Sequence, residues 1–437
     1  MKYIERHKWK RWLIFLFMSL MVFQNPLEDK ISYFSYVDEL IAAGGVLLGI
    51  YNVFVIERCI ITEKQLRIGI PLYIFVCVGL LGNFMYQYQP IKCVIVDLYT
   101  NLKFFFAITG GYFLFQYVKD ENIEKDILWS AKCLVIFLFI IFLADRVCNF
   151  YPAEIRHGIK SVTLFYEHPT YLAAVMAFFL VVFTVFFNRK NSIYIVLTLI
   201  MMMFTLRSKA IAGAVLYIIL LMLFIVWKVK VKLWHVLMLG ILCVFFAWPQ
   251  LSYYFIELGG TSARSVMLLT SFLIMKNNFP IGTGFGTYGS AEAAKNYSPV
   301  YMKYGFNGNF ELRNIKDVDN SIRLINKHEW MTQKLIEEPE FLYANSFLSD
   351  QFWPIIFGQT GFIGTIAFLI VMFWLVRYCM EIKKINIYAY VGGLYAISYL
   401  IIASVAETAF HSAVAIPLAL MIGIVLQKKK ISNLLTV

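Results

Sequence analysis

Apolar runs of about 15 to 22 residues recur along the chain, separated by short polar connections. A helix of roughly 20 apolar residues crosses the hydrocarbon core of a bilayer. Backbone groups in that core find no water, so such runs must be helical. The strict apolar/polar alternation of membrane β-strands is absent. Twelve spans are predicted, near residues 12–25, 36–56, 68–86, 98–117, 127–145, 170–187, 192–206, 210–227, 233–249, 354–376, 387–404 and 410–427. One stretch breaks the pattern: from about Gln250 to Gln351 the chain is too polar to lie in a membrane. The expected class is therefore an all-α polytopic membrane protein with about 12 transmembrane helices. Its expected parts are nine helices in 1–249, one large loop with short helices in 250–353, and three helices in 354–437.

Charge then orients the spans. The first apolar run follows a basic segment, Met1 to Arg11, as in a signal peptide. No small-x-small cleavage site follows it, only Gln24-Asn25-Pro26, so it reads as a retained first span. If the N-terminus is cytoplasmic, the short inside segments carry 21 Lys and Arg and the short outside segments carry 7. Lys and Arg accumulate on the cytoplasmic side of short loops. Both termini are thus expected inside, with the large loop outside. The same anchoring accounts for the net charge of +12, and no nucleic-acid partner is needed to explain it.

Composition supports the class. Hydrophobic residues make up 60% of the chain and charged residues 15%, against roughly 25% charged in soluble domains; the mean hydropathy is +0.69. Seven cysteines are scattered without a C-x-x-C pair, and none lies in the large loop. That pattern suits small apolar fillers rather than a disulfide framework or a zinc site. Gly44-Gly45, Gly79 with Gly82, and Gly110-Gly111 are expected to allow close helix contacts.

Polar residues near the outer ends of the spans carry the candidate chemistry. Asp97 and Lys103 fall in or beside span four, where ionisable groups are costly and default to a functional reading; the alternative puts Asp97 at the interface and lets Lys103 snorkel. Glu167-His168-Pro169 forms a polar corner at the mouth of span six, read either as a site or as a solvated interfacial segment. Arg207-Ser208-Lys209 fills a very short outer connection, where cations are disfavoured. They precede a helix N-terminus, whose free N–H groups and dipole attract anions, and Arg adds a bidentate fork for phosphate oxygens. Thr261 or Ser262 is expected to cap a helix running to Asn278, with Arg264 against the dipole in its first turn.

The large loop continues with Gly282, Gly284, Gly286 and Gly289, then Tyr288, Tyr297, Tyr301 and Tyr304. The formal G-x-G-x-x-G match lacks a βα setting, so a dinucleotide site is not expected. Glycines permit close backbone approach to a ligand. Aromatic faces beside polar groups suit sugar rings, and equally a headgroup surface. Residues 317–338 read as a solvated helix ended by Pro339. Asn345, Asp350 and Gln351 return to the membrane mouth, Asp350 reading as a general base or a helix cap.

Taken in order, these residues resemble a family. Arg-Ser-Lys-Ala after a span, an Arg opening a helix, Phe-Pro-Ile-Gly-Thr-Gly-Phe-Gly-Thr-Tyr-Gly-Ser, and an Asn/Asp-bearing segment before Gly-Gln-Thr-Gly look like the O-antigen ligase and Wzy-type polysaccharide polymerase superfamily. The glycine motif with its tyrosine tail is closer to O-antigen or capsule polymerases than to ligases. The resemblance covers essentially the whole chain. It implies a GT-C-like, metal-independent, inverting glycosyltransferase of the bacterial inner membrane that needs no cofactor. Its implied substrates are undecaprenyl-diphosphate-linked oligosaccharides, with membrane lipids and a chain-length regulator as further partners. The diphosphate would fall to Arg207, Lys209 and Arg264. The glycan would fall to Gly282, Gly284, Gly286, Tyr288, Tyr297 and Asn345. Ligases carry a His-Asn pair in the loop; here Ala344 precedes Asn345, so the base falls to Asp350 first and His168 second. The alternatives are a ligase moving finished glycan to lipid A core or protein, and a transporter of lipid-linked units. Transporters of that kind usually show internal repeats, and none is evident here.

Overall fold

The computed structural model describes residues 2–56, 63–117, 122–229, 252, 263–304 and 349–435, apart from the single positions 153, 157, 297 and 350. In chain order the helices are α1 Lys2–Val22, α2 Gln24–Glu28, α3 Val37–Tyr51, α4 Glu63–Tyr86, α5 Ile91–Tyr117, α6 Asn122–Cys148, α7 Pro169–Val185, α8 Ser192–Phe204, α9 Ser208–Leu221, α10 Ala263–Asn277, α11 Ala291–Lys295, α12 Pro299–Lys303, α13 Phe352–Ile382, α14 Ile387–Ser404 and α15 Ala415–Leu435. The described residues hold one small sheet, an antiparallel pair of Ile155–Arg156 (β1) with Ile159–Lys160 (β2). Among the described residues, six helical segments are long and apolar enough to cross a membrane: Ser32–Ile56, Glu63–Tyr86, Asn122–Cys148, Ser208–Val226, Phe352–Ile382 and Ile387–Ser404. Shorter apolar helices run over Pro169–Val185, Met267–Asn277 and Ala415–Gln427. The chain is a helical membrane protein. The expected span at 233–249 and the expected helix at 317–338 lie outside the described residues.

Helix α7 is the axis of the bundle. Its sequence is apolar on every side, and Leu172 through Val185 are all buried. A helix hydrophobic all round has to be covered all round. Its cover comes from α6, α8, α9, α14 and α15. Helices α1, α3 and α4 instead leave Leu13, Leu40, Leu47, Tyr73 and Phe84 exposed, an apolar outer surface suited to lipid. Close packing follows some of the expected glycines: a Cβ on Gly110 would sit 3.0 Å from Gly45 Cα, while Gly44 faces open space.

Polar contacts sort the helix ends into two groups. At one end Arg11 Nε donates to Asp126 (2.8 Å), Lys64 pairs with Glu381 (3.0 Å), and Lys383 donates to the Val229 carbonyl (3.0 Å). At the other, Tyr166 donates to the Val22 carbonyl (3.0 Å), the Glu167 N–H reaches Asn25 (3.3 Å), and the Phe352 N–H reaches the Glu407 carbonyl (3.2 Å). This second end carries the candidate chemistry.

Candidate functional site

The connection from α8 to α9 turns sharply: Leu206 has a positive φ of 52°, and α9 begins at Ser208 with Arg207 at its N-cap position. Arg207 is therefore held at a helix N-terminus. Its guanidinium reaches Glu154 at 3.4 Å, beside the β1–β2 hairpin, and its side chain is 15% exposed. Its Nε is buried and has no hydrogen-bond partner among the described residues. Glu154 also takes Arg156 at 2.8 Å. Burial works against the Glu154 charge, yet Arg156 and Arg207 together hold its carboxyl below the usual range. Two residues along, Lys209 is paired with Glu407, from the connection between α14 and α15.

His168 joins these cations from α7. It is the N-cap of that helix, with Pro169 at the first helical position. Its Nδ1 accepts from the Thr170 N–H at 3.3 Å and lies 2.8 Å from Thr170 Oγ1. An Nδ1 that accepts a backbone N–H leaves the neutral ring's proton on Nε2. Burial first, then Arg207 and Lys209, push the imidazole down to about 4. At neutral pH His168 is thus an uncharged ring that offers an N–H. That geometry suits a donor to an anion better than the base the sequence suggested. Of the predicted residues, then, the fold gathers His168, Arg207 and Lys209. Arg264 stands in the first turn of α10, as expected, on a helix that packs against α13.

The glycine stretch has a different setting from the one expected. Residues 281–290 are all buried. Gly282, Gly284, Gly286 and Gly289 have positive φ of 70°, 99°, 73° and 70°. They fold into a plug between α4, α5 and α13. Helix α13 is broken at Gly361 (φ 59°, ψ −153°), and the plug docks there: the Thr283 and Gly284 N–H groups donate to the Gly358 and Gln359 carbonyls at 3.0 and 2.8 Å. Asn83 of α4 brackets Phe285, accepting its N–H and donating to its carbonyl, each at 2.8 Å. A Cβ on Gly82 would meet Gly284 N at 2.7 Å. The close approach that glycine permits is thus backbone against helix.

Two of the tyrosines are likewise inside. Tyr288 and Tyr301 are 0% and 2% exposed. Tyr288 donates to the Met267 carbonyl (2.7 Å), and Tyr301 Oη accepts the Gly289 N–H (2.7 Å). With Met267, Ile274, Ala293, Ala294 and Val300 they form a small core separate from that of the bundle. Stacking on sugar and lying on headgroups both give way to packing for these two. Tyr297, Asn345 and Asp350 lie outside the described residues.

Two ionisable residues of α5 are also resolved. Asp97 is 2% exposed and takes the Gly286 N–H at 2.8 Å and the Asn101 amide at 3.2 Å. It anchors the plug and is buried within the protein. Lys103 does not snorkel: its ammonium binds Asp38 of α3 at 2.6 Å, both side chains being buried. Gln24 donates to the other Asp38 oxygen at 2.9 Å. Asn101 in turn meets His411 Nε2 at 3.0 Å. Asp38 gave no signal in the sequence beyond its position at the start of a span, and its partner is 65 residues away. No family model matches the chain, and no curated protein matches it either.

Proposed function

We propose that this protein is a polysaccharide polymerase that joins undecaprenyl-diphosphate-linked oligosaccharide repeat units at the outer face of the bacterial inner membrane, in O-antigen or capsule synthesis. The observation that carries the reading is the meeting of Arg207, Lys209 and His168 from the N-termini of α9 and α7. Arg207, Lys209 and Arg156 face two carboxylates, Glu154 and Glu407, so the group keeps net positive charge. With an uncharged N–H donor and a helix N-terminus, it makes a receptor for an anion that displaces those carboxylates. Arg207 Nε still has a donor to give. The resemblance of the sequence motifs to the polymerase and ligase superfamily supplies the identity of the anion, a lipid diphosphate.

In this reading twelve spans hold the loop 250–353 outside, with both termini cytoplasmic. An acceptor sugar hydroxyl attacks the anomeric carbon of the growing chain from the face opposite the diphosphate. The new glycosidic C–O bond forms as the C–O bond to diphosphate breaks, with inversion. Arg207 and Lys209 take up the charge that develops on the leaving diphosphate, a task fixed donors perform well in a dry site. His168 Nε2–H donates to the same oxygens, and Arg264 is a third cation of this kind. The hydroxyl proton passes to a carboxylate, Asp350 being the first candidate.

A gel of surface glycan from a deletion strain separates the readings. Loss of a polymerase leaves single repeat units attached to their acceptor, and Arg207→Ala in place of the deletion gives the same pattern. Bare acceptor with long glycan still on its carrier identifies a ligase instead. Units trapped on the cytoplasmic side identify a transporter.

A further inference from the structure

The same end of the bundle holds an open cavity of about 330 Å³, with Glu28 exposed at its edge. Glu28 of α2, Asp38 and Glu39 of α3, Lys103 of α5, Tyr171 of α7 and Thr408 after α14 contribute to its walls. Its charge excludes several occupants. Three carboxylates face one ammonium, and that ammonium is already bound to Asp38 at 2.6 Å, so a phosphate would meet net negative charge. Among the described residues no three His, Cys, Asp or Glu side chains are grouped to hold a metal ion. A lipid tail would strand the polar walls without partners.

A neutral, hydroxyl-rich group fits. Both Asp38 oxygens are used, one by Lys103 and one by Gln24. Glu28 and Glu39 have no ion pair among the described residues, so their carboxylates can accept from hydroxyls. Burial, then Asp38, raise the Glu28 carboxyl above its usual value. Tyr171 adds an aromatic ring, the common companion of a sugar. The volume lies at the lower end of small-molecule pockets, which run from about 300 to 1,000 Å³; that is room for one or two sugar rings.

The cavity also lies beside the cation group. His168 caps α7, and Tyr171, three residues on, lines the cavity. Glu407 grips Lys209, and its neighbour Thr408 lines the cavity. Two separate chain segments thus give one residue to each site.

We propose that this cavity binds the acceptor: the terminal sugar of the accepting unit sits against Glu28, Glu39 and Tyr171, next to the diphosphate held by Arg207 and Lys209. This rests on the glycosyltransferase reading above. It assigns the two substrates to two walls of opposite character, cationic for the donor's diphosphate and anionic for the acceptor's hydroxyls.

The test uses full-length protein in nanodiscs. Saturation-transfer NMR measures binding of free glucose, galactose, N-acetylglucosamine and N-acetylgalactosamine, with inorganic diphosphate as the counter-probe. At least one sugar is expected to bind the wild type. Glu28→Gln with Glu39→Gln weakens it about tenfold or more, as expected when hydrogen bonds to charged groups are lost. Ser412→Trp, which fills the cavity, abolishes it; Ser412 also lines this wall. Diphosphate binding persists in both variants and is lost in Arg207→Ala. The proposal is overturned if no sugar binds the wild type, or if the carboxamide pair binds sugar as the wild type does. The carboxamide pair keeps side-chain shape, so it decides the matter even if the tryptophan variant fails to fold. Failure of the wild type to transfer glycan would remove the function and leave sugar binding standing. Transfer with unaltered acceptor affinity in the cavity variants would remove only the acceptor site.

Discussion

His168 shows how one side chain's partners set its chemistry. Its ring caps α7 through Nδ1 and is pushed down to about 4 by burial and by the cations Arg207 and Lys209. The folded value is below the ordinary one near 6.5. The neutral ring's contribution to the helix cap is therefore complete above the ordinary value and is lost as pH falls through it toward about 4. Nitrogen-15 spectra of labelled histidine should show the His168 ring still neutral at about pH 5, where an exposed histidine is charged. Loss of the cap in His168→Ala should cost about 1 kcal/mol, and His168→Asn should restore most of it. The buried Asp38–Lys103 pair makes a second residue-scale case. Lys103→Met should destabilise by about 3–5 kcal/mol, because it strands a buried carboxylate, while Lys103→Met with Asp38→Asn should cost far less. Thermal melting in detergent measures both. The sequence marked Lys103 as costly in a span, yet no local pattern names a partner on another helix. The basic pair at 207 and 209, in a connection too short to hide it, was legible by contrast.

At the scale of elements, the glycine plug and the break in α13 form one joint. Gly361 adopts φ 59° with ψ −153°, a region that side chains rarely tolerate and that costs of order 1–3 kcal/mol when forced. Its Cβ would also collide with Gly282 N, and a Cβ on Gly282 would lie 2.5 Å from Gly361 N. Gly361→Ala and Gly282→Ala should therefore each lower the melting temperature, while Gly44→Ala, with open space around it, should not. The sequence showed that backbone must come close at 282–289; whether the close neighbour is ligand or helix depends on a contact with residues 358–361, about 75 positions away. Helix existence was far easier to read, because a 20-residue apolar run announces itself locally. The mouth of α7 was legible for the same reason, because Pro169 sits next to the helix start it shapes. The capping role of His168 was not, and α9 starts at Ser208, two residues before the span expected from 210.

For the molecule as a whole, the proposed topology assigns the two groups of helix ends to opposite membrane faces. In a background without the seven native cysteines, cysteines placed at Glu154 and Glu407 should label with impermeant thiol reagents only from outside. Cysteines at Lys64 and Lys383 should label only from inside. The opposite pattern would put the cation group on the cytoplasmic face. The most direct test of the central claim is polymerisation in vitro. Purified lipid-linked repeat units are incubated with the protein in nanodiscs, and product length is read by mass spectrometry. The account predicts a ladder of repeats, with one undecaprenyl diphosphate released per bond, and a loss of about 10²-fold or more in rate for folded Arg207→Ala. Wild-type protein that makes no product from a cognate repeat unit, or Arg207→Ala and Lys209→Ala variants that both keep full activity, would contradict it.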